Sequence, residues 1–314
     1  MSIKKVSILI LAILGCLLSH SGFASGRDSS AFLKVYEDSL KHLQFGRIDA
    51  HKTDRQKIAV NERFCNMLQK ALSLPNSFDY PFDSLTTIAR LESPDKKFRV
   101  INWNLPMQDG TQAYFGFIQS YNPKTKKYQL FKLTDASDQL SDPQSKVLTT
   151  DKWLGMLYYK IIEEKADGKP QYVVLAWKGY DHLVNKKVID VITFNGDGVP
   201  SFGKSIFSHL PSSFKGASKR IIFQYSSNVS MTLEYNAKKD LIQFDHLGPS
   251  EDGLEGQYQF YGPSFQTDGL AFKDGKWDFI ENVDARNNNH NDSKFNDPEK
   301  GDNQETKKPI YTPH

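Results

Sequence analysis

The chain has 314 residues, enough for one large domain or two modest ones. Aromatic residues make up 12% of it, with 21 Phe and 14 Tyr, and this favours β-structure over a helical bundle. The mean hydropathy of -0.54 excludes a protein with several membrane spans. The net charge of +3 comes with neither a basic stripe for nucleic acid nor a polybasic segment for anionic lipid.

Residues 1–24 have the pattern of a secretory signal peptide. Two lysines precede an apolar run from Val6 to Leu18, and Gly22-Phe-Ala24 offers the small residues of a cleavage site after Ala24. A membrane anchor would need roughly 20 apolar residues, and this run is shorter. We therefore predict an exported protein, periplasmic or secreted, with no membrane span after signal removal. Loss of the two lysines lowers its net charge from +3 to +1.

Cys16 offers an alternative start for the mature chain. Ile13-Leu-Gly-Cys16 is similar to a lipoprotein box, in which Cys16 would become the acylated N-terminal residue. Leu17 and Leu18 continue the apolar run beyond this cysteine, whereas such a box is expected near its end. Cleavage after Ala24 is therefore the main prediction, and lipidation at Cys16 is the alternative.

The region 25–76 is predicted to form two amphipathic helices. Apolar residues recur at helical spacing from Asp28 to Phe45, and Gly46 is expected to end this helix. Thr53 or Asp54 is expected to cap the second helix. The two helices could form a lid over one end of the remaining body or a helical hairpin on its side.

Cys65 is the one cysteine left after cleavage at Ala24. A single cysteine cannot form an intrachain disulfide, so stability must come from the apolar core. Because Phe64 and Met67 lie beside it in a helical pattern, we predict a buried and unreactive thiol rather than a nucleophile.

The region 77–286 is predicted to be an antiparallel β domain. About a dozen strand-like runs follow one another at roughly 8–14-residue spacing, and this is typical of a meander. A barrel, a sandwich and a propeller-like arrangement remain open, since no exact repeat is visible. Pro200–Lys219 lacks strand periodicity and is predicted to be a crossing loop or a mobile surface segment. The predicted strands are Thr86–Leu91, Lys97–Leu105, Gln112–Ser120, Tyr128–Thr134, Met156–Glu164, Gln171–Trp177, Lys187–Phe194, Arg220–Tyr225, Ser230–Tyr235, Leu241–Leu247, Gln257–Tyr261, Leu270–Lys273 and Lys276–Glu281.

The hairpin of Lys97–Leu105 and Gln112–Ser120 organises this domain. Its apolar residues change phase between Val100 and Ile101, which predicts either a β-bulge or a strand buried on both faces. The residues after it are expected to form further hairpins of this kind with other apolar side chains.

Residues 287–314 change in character. Phe295, Ile310 and Tyr311 are their only large apolar residues, too few to offset the entropy of ordering the segment. We predict a disordered polar tail that is passive, with a tether or recognition segment as the alternative.

The sequence predicts no catalytic, cofactor-binding or metal-binding residue, because no motif for such chemistry is complete. No two histidines have metal-ligand spacing, and no nucleophile elbow occurs. Asn195-Gly-Asp-Gly198 lacks the later ligands of a calcium loop and fits a hairpin turn. The possible carboxylate pairs, Glu163-Glu164 and Asp181 with Asp190, support no glycosidase assignment without distances.

His246 follows an acid, Asp245, at the end of a predicted strand. Adjacent residues on a strand point to opposite faces, so these two cannot form a dyad there. A structural histidine is the main prediction, and a general base is the alternative if the strand is irregular.

Four aromatic residues have alternative interpretations. Trp103 and Tyr114 are predicted core residues that could instead line a groove. Tyr258 and Tyr261 lie in a stretch dense in aromatics and glycine, and they could face a glycan or a peptide rather than pack in the core.

Three segments carry a resemblance: Ser77-Phe-Asp-Tyr-Pro-Phe-Asp-Ser-Leu85, Ser93-Pro-Asp-Lys-Lys-Phe-Arg-Val-Ile-Asn-Trp103 and Leu254-Glu-Gly-Gln-Tyr-Gln-Phe-Tyr-Gly-Pro263. Together they resemble an uncharacterised family of secreted proteins in Bacteroidota-type bacteria, over roughly Phe64 to Arg286. The resemblance implies an address in a Gram-negative envelope. No activity is assigned to that family, so the resemblance implies no functional residue.

An export signal without a complete catalytic motif predicts a non-catalytic protein that binds an envelope or extracellular partner. The first alternative is an envelope hydrolase with an acid/base pair assembled from distant strands. A cleft that brings two carboxylates, or a carboxylate and His246, within about 10 Å would favour it. The second alternative is a lipid-anchored assembly factor, which depends on Cys16.

Overall fold

The computed structural model describes residues 25–179, 182–214 and 216–283. The predicted signal peptide, with Cys16, and the predicted polar tail at 287–314 lie outside these residues. The described part is mainly β, with two helices followed by fourteen strands. This confirms the predicted fold class. No helix in the described ranges is both long and apolar enough to cross a membrane.

The two helices are α1 (Ser25–Arg47) and α2 (Asp54–Leu72). Thr53 caps α2: its hydroxyl accepts from the Gln56 backbone N–H, and the Gln56 side chain accepts from the Thr53 N–H at 2.9 Å. The prediction that α1 ends at Gly46 is wrong by one residue. A Cβ on Gly46 would lie 3.3 Å from Val60 Cγ1, so this glycine lets the two helices approach closely instead.

The strands form three sheets. The first contains β1 (Ala89–Glu92), β2 (Phe98–Pro106), β3 (Gln112–Asn122) and β4 (Lys127–Thr134) in chain order. The second contains β5 (Leu157–Ala166), β6 (Lys169–Gly179), β7 (Val184–Phe194), β8 (Pro200–Phe202) and β10 (Ile221–Ser226). The third contains β9 (Phe207–Ser208), β11 (Leu233–Asn236), β12 (Leu241–Pro249), β13 (Tyr261–Lys273) and β14 (Lys276–Ile280). Every pair is antiparallel except β9 with β14, which is parallel.

The elements stack as four layers, with the helices on the first sheet, the first sheet on the second, and the second on the third. Three apolar cores fill the spaces between them. The first and second sheets are therefore buried on both faces. This stacking is sandwich-like, and the strands of the described ranges close no barrel. The residues that mark the three cores are Leu68, Trp103 and Phe117; Phe98, Ile118 and Val174; and Leu175, Val191 and Phe244.

The hairpin of β2 and β3 lies at the centre of the first sheet. Its pairing runs without a shift from Phe98 with Ser120 to Pro106 with Gln112. The predicted bulge between Val100 and Ile101 is therefore absent from this ladder, and the alternative of burial on both faces is confirmed. Val100 packs into the core towards the second sheet, and Ile101 packs into the core under the helices.

Two segments differ from the sequence-based expectation. Gln257–Tyr261, predicted as a strand, contains the short 3-10 turn Tyr258–Phe260, and β13 begins only at Tyr261. Pro200–Lys219 contains β8 and β9, so it carries the chain from the second sheet to the third and back. Strands of two or three residues are too short to show a period, which is why the sequence predicted a crossing loop there.

Candidate functional site

A pocket of about 280 Å³ opens between the second and third sheets. Its walls come from β10, β12, β13 and β14 and from two 3-10 turns, Ser212–Phe214 and Tyr258–Phe260. The crossing segment 200–219 supplies the first of these turns, and the connection between β12 and β13 supplies the second. The pocket therefore lies where two irregular segments meet the open end of a packed sheet pair.

Six aromatic rings line this pocket, namely Phe214, Phe223, Phe244, Phe279, Tyr258 and Tyr261. The inner rings support one another: the Phe223 and Phe244 centroids are 4.8 Å apart, and Phe214 meets Phe223 edge-on at 5.5 Å. The Tyr258 and Tyr261 centroids are 5.1 Å apart at the wall. Aromatic residues of distant segments thus line one pocket as a phenylalanine cluster and a tyrosine pair.

The turn that presents the two tyrosines is held by backbone contacts. The Ser250 N–H donates to the Phe260 carbonyl at 2.9 Å, and the Gly256 N–H donates to the Tyr261 hydroxyl at 3.0 Å. Tyr258 is 37% exposed. Of the two interpretations made from the sequence, exposure at a pocket wall describes Tyr258 better than packing in a core does.

His246 lies in an irregular part of β12. The register of β12 against β13 shifts between Asp245 and Leu247, and such a bulge redirects a side chain. As the alternation of a strand predicted, His246 does not pair with Asp245, whose carboxylate instead accepts from the Thr232 N–H at 2.7 Å. His246 Nδ1 is 2.7 Å from Oδ2 of Asp268 on β13.

Asp268 is a buried carboxylate with three partners. Its Oδ1 accepts from the Gln266 side-chain amide at 2.8 Å and from the Asn282 backbone N–H at 3.0 Å, and its Oδ2 contacts His246. These bonds satisfy a charge that would otherwise be costly to bury. They also fix the acceptor against which the His246 ring is oriented.

The His246–Asp268 contact determines what the imidazole can do. With Nδ1–H donated to the carboxylate, the neutral ring keeps Nε2 as an acceptor. No hydrogen bond to Nε2 is formed by the described residues, and the side chain of His246 is 44% exposed at the pocket wall. The ring can therefore accept a hydrogen bond or a proton from a bound molecule or water.

Ser213 is the serine among the described lining residues of the same pocket. Within the described ranges no hydrogen bond joins its side chain to His246, so the three residues Ser213, His246 and Asp268 do not form a relay. The pocket contains a histidine–carboxylate pair and no activated nucleophile.

The charged side chains among the pocket's described lining residues are all acidic. Asp245, Asp268 and Glu281 line it, and no Lys or Arg does among the described lining residues. Glu281 is exposed at the end of β14 and has neither a hydrogen bond nor an ion pair within the described part of the chain. Among the described residues nothing occupies its carboxylate, which can therefore meet a ligand.

A second cavity, of about 570 Å³, lies beside Tyr114 and Lys178. Lys178 Nζ donates to the Ser137 hydroxyl at 2.9 Å and to the Gly155 carbonyl at 2.7 Å, and it lies 4.5 Å from the Tyr114 ring centroid. Burial lowers the pKa of Lys178. Because these contacts engage the ammonium group, Lys178 fastens the connection after β4 to β6 rather than offering a reactive amine.

Trp103 and Tyr114, two aromatic residues of the central hairpin, lie in different surroundings. Trp103 is fully buried, and its indole N–H donates to the Asn61 side chain at 2.8 Å. Tyr114 is also buried, yet it lines the Lys178 cavity, and its hydroxyl accepts from the Gly179 N–H at 2.7 Å. Both are core residues, as predicted, and Tyr114 also fits the alternative of lining a groove.

The remaining predicted candidates have structural roles. Cys65 is buried, and burial raises the pKa of its thiol. Asn195 accepts from the backbone N–H groups of Asp197 and Val199, which explains its glycine-rich turn without an ion. No group of three or more His, Cys, Asp or Glu side chains in the described ranges could hold a metal.

The described members of the possible carboxylate pairs lie away from the aromatic pocket. Asp190 forms a buried ion pair with Arg220, and Asp181 lies outside the described residues. Burial, and then the neighbouring Asp240, raises the pKa of Glu164, and Glu163 adds a smaller effect. None of Glu163, Glu164 and Asp190 lines the aromatic pocket.

Sequence reasoning missed the partners that complete the pocket. His246, Tyr258 and Tyr261 were singled out, whereas Asp268 and Glu281 were not. The available signal for Asp268 was an acid at the start of an apolar run, Gly269 to Phe272. Its pairing with His246 depends on the register of two strands, and the sequence does not display that register.

Comparison of the chain with known proteins found no matching family model, no matching curated protein and no matching solved structure. The resemblance to a secreted family of Bacteroidota-type bacteria therefore stays a prediction.

Proposed function

We propose that this chain is an exported envelope protein that binds a small ligand, or one group of a larger partner, in the aromatic pocket. The observation that carries the proposal is the pocket itself, with six rings around about 280 Å³ and a few polar groups in its wall. Binding sites for small molecules are concave and mostly apolar, with a few placed polar groups. The volume suits a single sugar ring, a side chain or a molecule of similar size.

The test is a ligand screen on the mature chain by ligand-observed NMR. We expect binders whose signals are lost with Tyr258→Ala. Tyr128→Ala is the matched control, because Tyr128 is 39% exposed against 37% for Tyr258 and does not line this pocket. Binders that respond equally to both variants, or a screen without binders, would refute the proposal.

The proposed address has its own test. Residues 1–24 support export by their signal-peptide pattern. We expect mass spectrometry of the protein from a Gram-negative host to find a mature N-terminus at Ser25 in the periplasmic or extracellular fraction. A cytosolic product that retains residues 1–24 would contradict export. An acylated Cys16 in the membrane fraction would favour the lipid-anchored alternative, and Cys16→Ser would then release the protein.

The His246–Asp268 contact of 2.7 Å favours a second candidate, an envelope hydrolase. A carboxylate and His246 in one cleft meet the distance expected of an acid/base pair, although their strands, β12 and β13, are neighbours in the sheet rather than distant. In this candidate His246 Nε2 takes a proton from a water molecule that attacks the bound substrate, and Asp268 stabilises the charged ring.

Turnover separates the two candidates. Glycans, esters and peptides are offered to the purified mature chain, and product is measured over time. If the protein is a hydrolase, His246→Gln removes turnover by a factor of about 10²–10⁴ while ligand binding persists. If no substrate is turned over although ligands bind in the pocket, the protein is a binding protein.

A further inference from the structure

The charged side chains among the described lining residues of the aromatic pocket are all acidic, and this favours one class of ligand. Three carboxylates and no Lys or Arg line it among the described residues. Among the described lining residues an anionic ligand would meet acids, which repel it, and no Lys or Arg. These residues therefore favour a cationic or neutral ligand over phosphates, sulfates and carboxylates.

Two of the three carboxylates are already engaged. Asp268 accepts from Gln266 and Asn282 and contacts His246, and Asp245 accepts from the Thr232 N–H. Glu281 has no such partner within the described residues. It is the group that a positive charge in the pocket could neutralise without breaking an existing bond.

The rings supply a second attraction for a positive charge. The face of an aromatic ring carries negative electrostatic potential and attracts a cation within about 6 Å of its centroid. Tyr258 is exposed, and Tyr261 and Phe279 are half-buried in the same wall. Aromatic rings and a carboxylate that line one cavity are the arrangement that recognises ammonium groups with apolar substituents.

We infer that the ligand of this pocket is an organic cation, an amine or quaternary ammonium group on a small apolar body. Glu281 supplies the countercharge, and Tyr258 and Tyr261 supply ring faces. This inference rests on the proposed function, since it names the chemical class of the molecule that the pocket binds.

Three probes of nearly the same shape test the inference: choline, its uncharged carbon analogue 3,3-dimethylbutan-1-ol, and the anion 3,3-dimethylbutanoate. Their dissociation constants for the mature chain are measured by NMR titration. We expect choline to bind about tenfold more tightly than the neutral analogue, and the anion to bind least.

Two matched variants identify the countercharge. Glu281→Gln should weaken choline binding about tenfold and leave binding of the neutral analogue unchanged, because it removes charge and keeps shape. Glu62→Gln makes the same change at an exposed position on α2 and should alter neither. Circular dichroism of each variant verifies the fold.

The outcomes separate the inference from the proposed function. Equal binding of all three probes, weakened by Tyr258→Ala, would keep the pocket as a binding site and overturn its preference for cations. Choline binding that Glu281→Gln leaves unchanged would also overturn the inference. If none of the three probes binds, the cation class is wrong, and the wider ligand screen then decides the proposed function.

Discussion

Two acid–base contacts between neighbouring strands show how this protein uses the same chemistry in two ways. Arg220 Nε is 3.0 Å from Asp190 Oδ2, and both side chains are fully buried. His246 Nδ1 is 2.7 Å from Asp268 Oδ2, and here the acid is 3% exposed and the histidine 44%. The first contact is enclosed by the fold. In the second contact the buried Asp268 lies behind His246, and His246 reaches a pocket.

The enclosed pair fixes a connection of the chain. Arg220 Nη1 donates to the Lys146 carbonyl at 2.9 Å and also to the Pro143 carbonyl. The Arg220 Nε contact with Asp190 is close enough for an ion pair but lacks the angle of a hydrogen bond. Burial raises the pKa of Asp190, and the charge of Arg220 opposes this increase. The arginine therefore ties the segment before β5 to the second sheet.

The His246–Asp268 pair keeps one nitrogen atom that can still accept a hydrogen bond or a proton. Asp268 is satisfied by its neighbours, and His246 keeps Nε2 free of partners within the described residues. The comparison teaches that burial of both partners marks a structural contact, whereas exposure of one partner at a cavity marks a candidate site. Four substitutions, in order of decreasing effect on stability, test this division.

Arg220→Met should have the largest effect on stability. It removes the charge that faces Asp190, and an uncompensated buried carboxylate costs about 3–5 kcal/mol. The free energy of unfolding, measured in urea on the mature chain, should fall by this amount. Arg90→Met is the control, because the ion pair of Arg90 with Asp83 is largely exposed on the acid's side and should contribute less than about 1 kcal/mol.

The double variant Arg220→Met with Asp190→Asn sharpens this prediction. Replacing the acid by an amide removes the unpaired charge, so part of the lost free energy should return. If Arg220→Met costs no more than Arg90→Met, the pair is not the structural contact described here.

Asp268→Ala should have an intermediate effect. The Asn282 N–H and the Gln266 amide would lose their acceptor, and an unsatisfied buried donor costs about 1–3 kcal/mol. The same substitution should free the His246 ring, which nitrogen NMR detects as loss of the tautomer protonated at Nδ1. A purely structural acid would change stability and leave this tautomer as it is.

The sequence predicted the strands that carry these two contacts but not which side chains pair with each other. The spacing of strand-like runs predicted β6 and β12 as strands, and an irregular strand was named as the condition under which His246 could act. Neither Asp268 nor Arg220 could be matched to its partner, because the partner is set by strand register across the sheet rather than by spacing along the chain.

The layers show the same limit. The apolar residues of β2 predicted either a bulge or burial on both faces, and the two cores around the first sheet confirm burial on both faces. The contribution of β8 and β9 to two different sheets was missed, since each has only two or three residues. The pocket depends on this crossing segment, so its walls could not be assembled from the sequence alone.

His246→Ala should have a smaller effect than Asp268→Ala. The ring is partly exposed, and Asp268 would keep its bonds from Gln266 and Asn282. We expect a loss of about 0.5–1.5 kcal/mol, the contribution of one hydrogen bond, in the same urea experiment. A loss as large as that of Arg220→Met would place His246 among the structural contacts and argue against its role at the pocket.

Glu281→Gln should have the smallest effect on stability. No hydrogen bond or ion pair within the described chain depends on its carboxylate, and substitutions of this kind usually change stability by less than about 0.5 kcal/mol. The same variant is expected to weaken choline binding about tenfold, so stability and binding should separate most clearly at this residue. Arg220→Met should behave in the opposite way, with a large loss of stability and no direct effect on the pocket's charge. If Glu281→Gln destabilises the protein by more than about 1 kcal/mol, its carboxylate stabilises the fold. Exposure at the pocket would then not distinguish a ligand-binding group from a structural one.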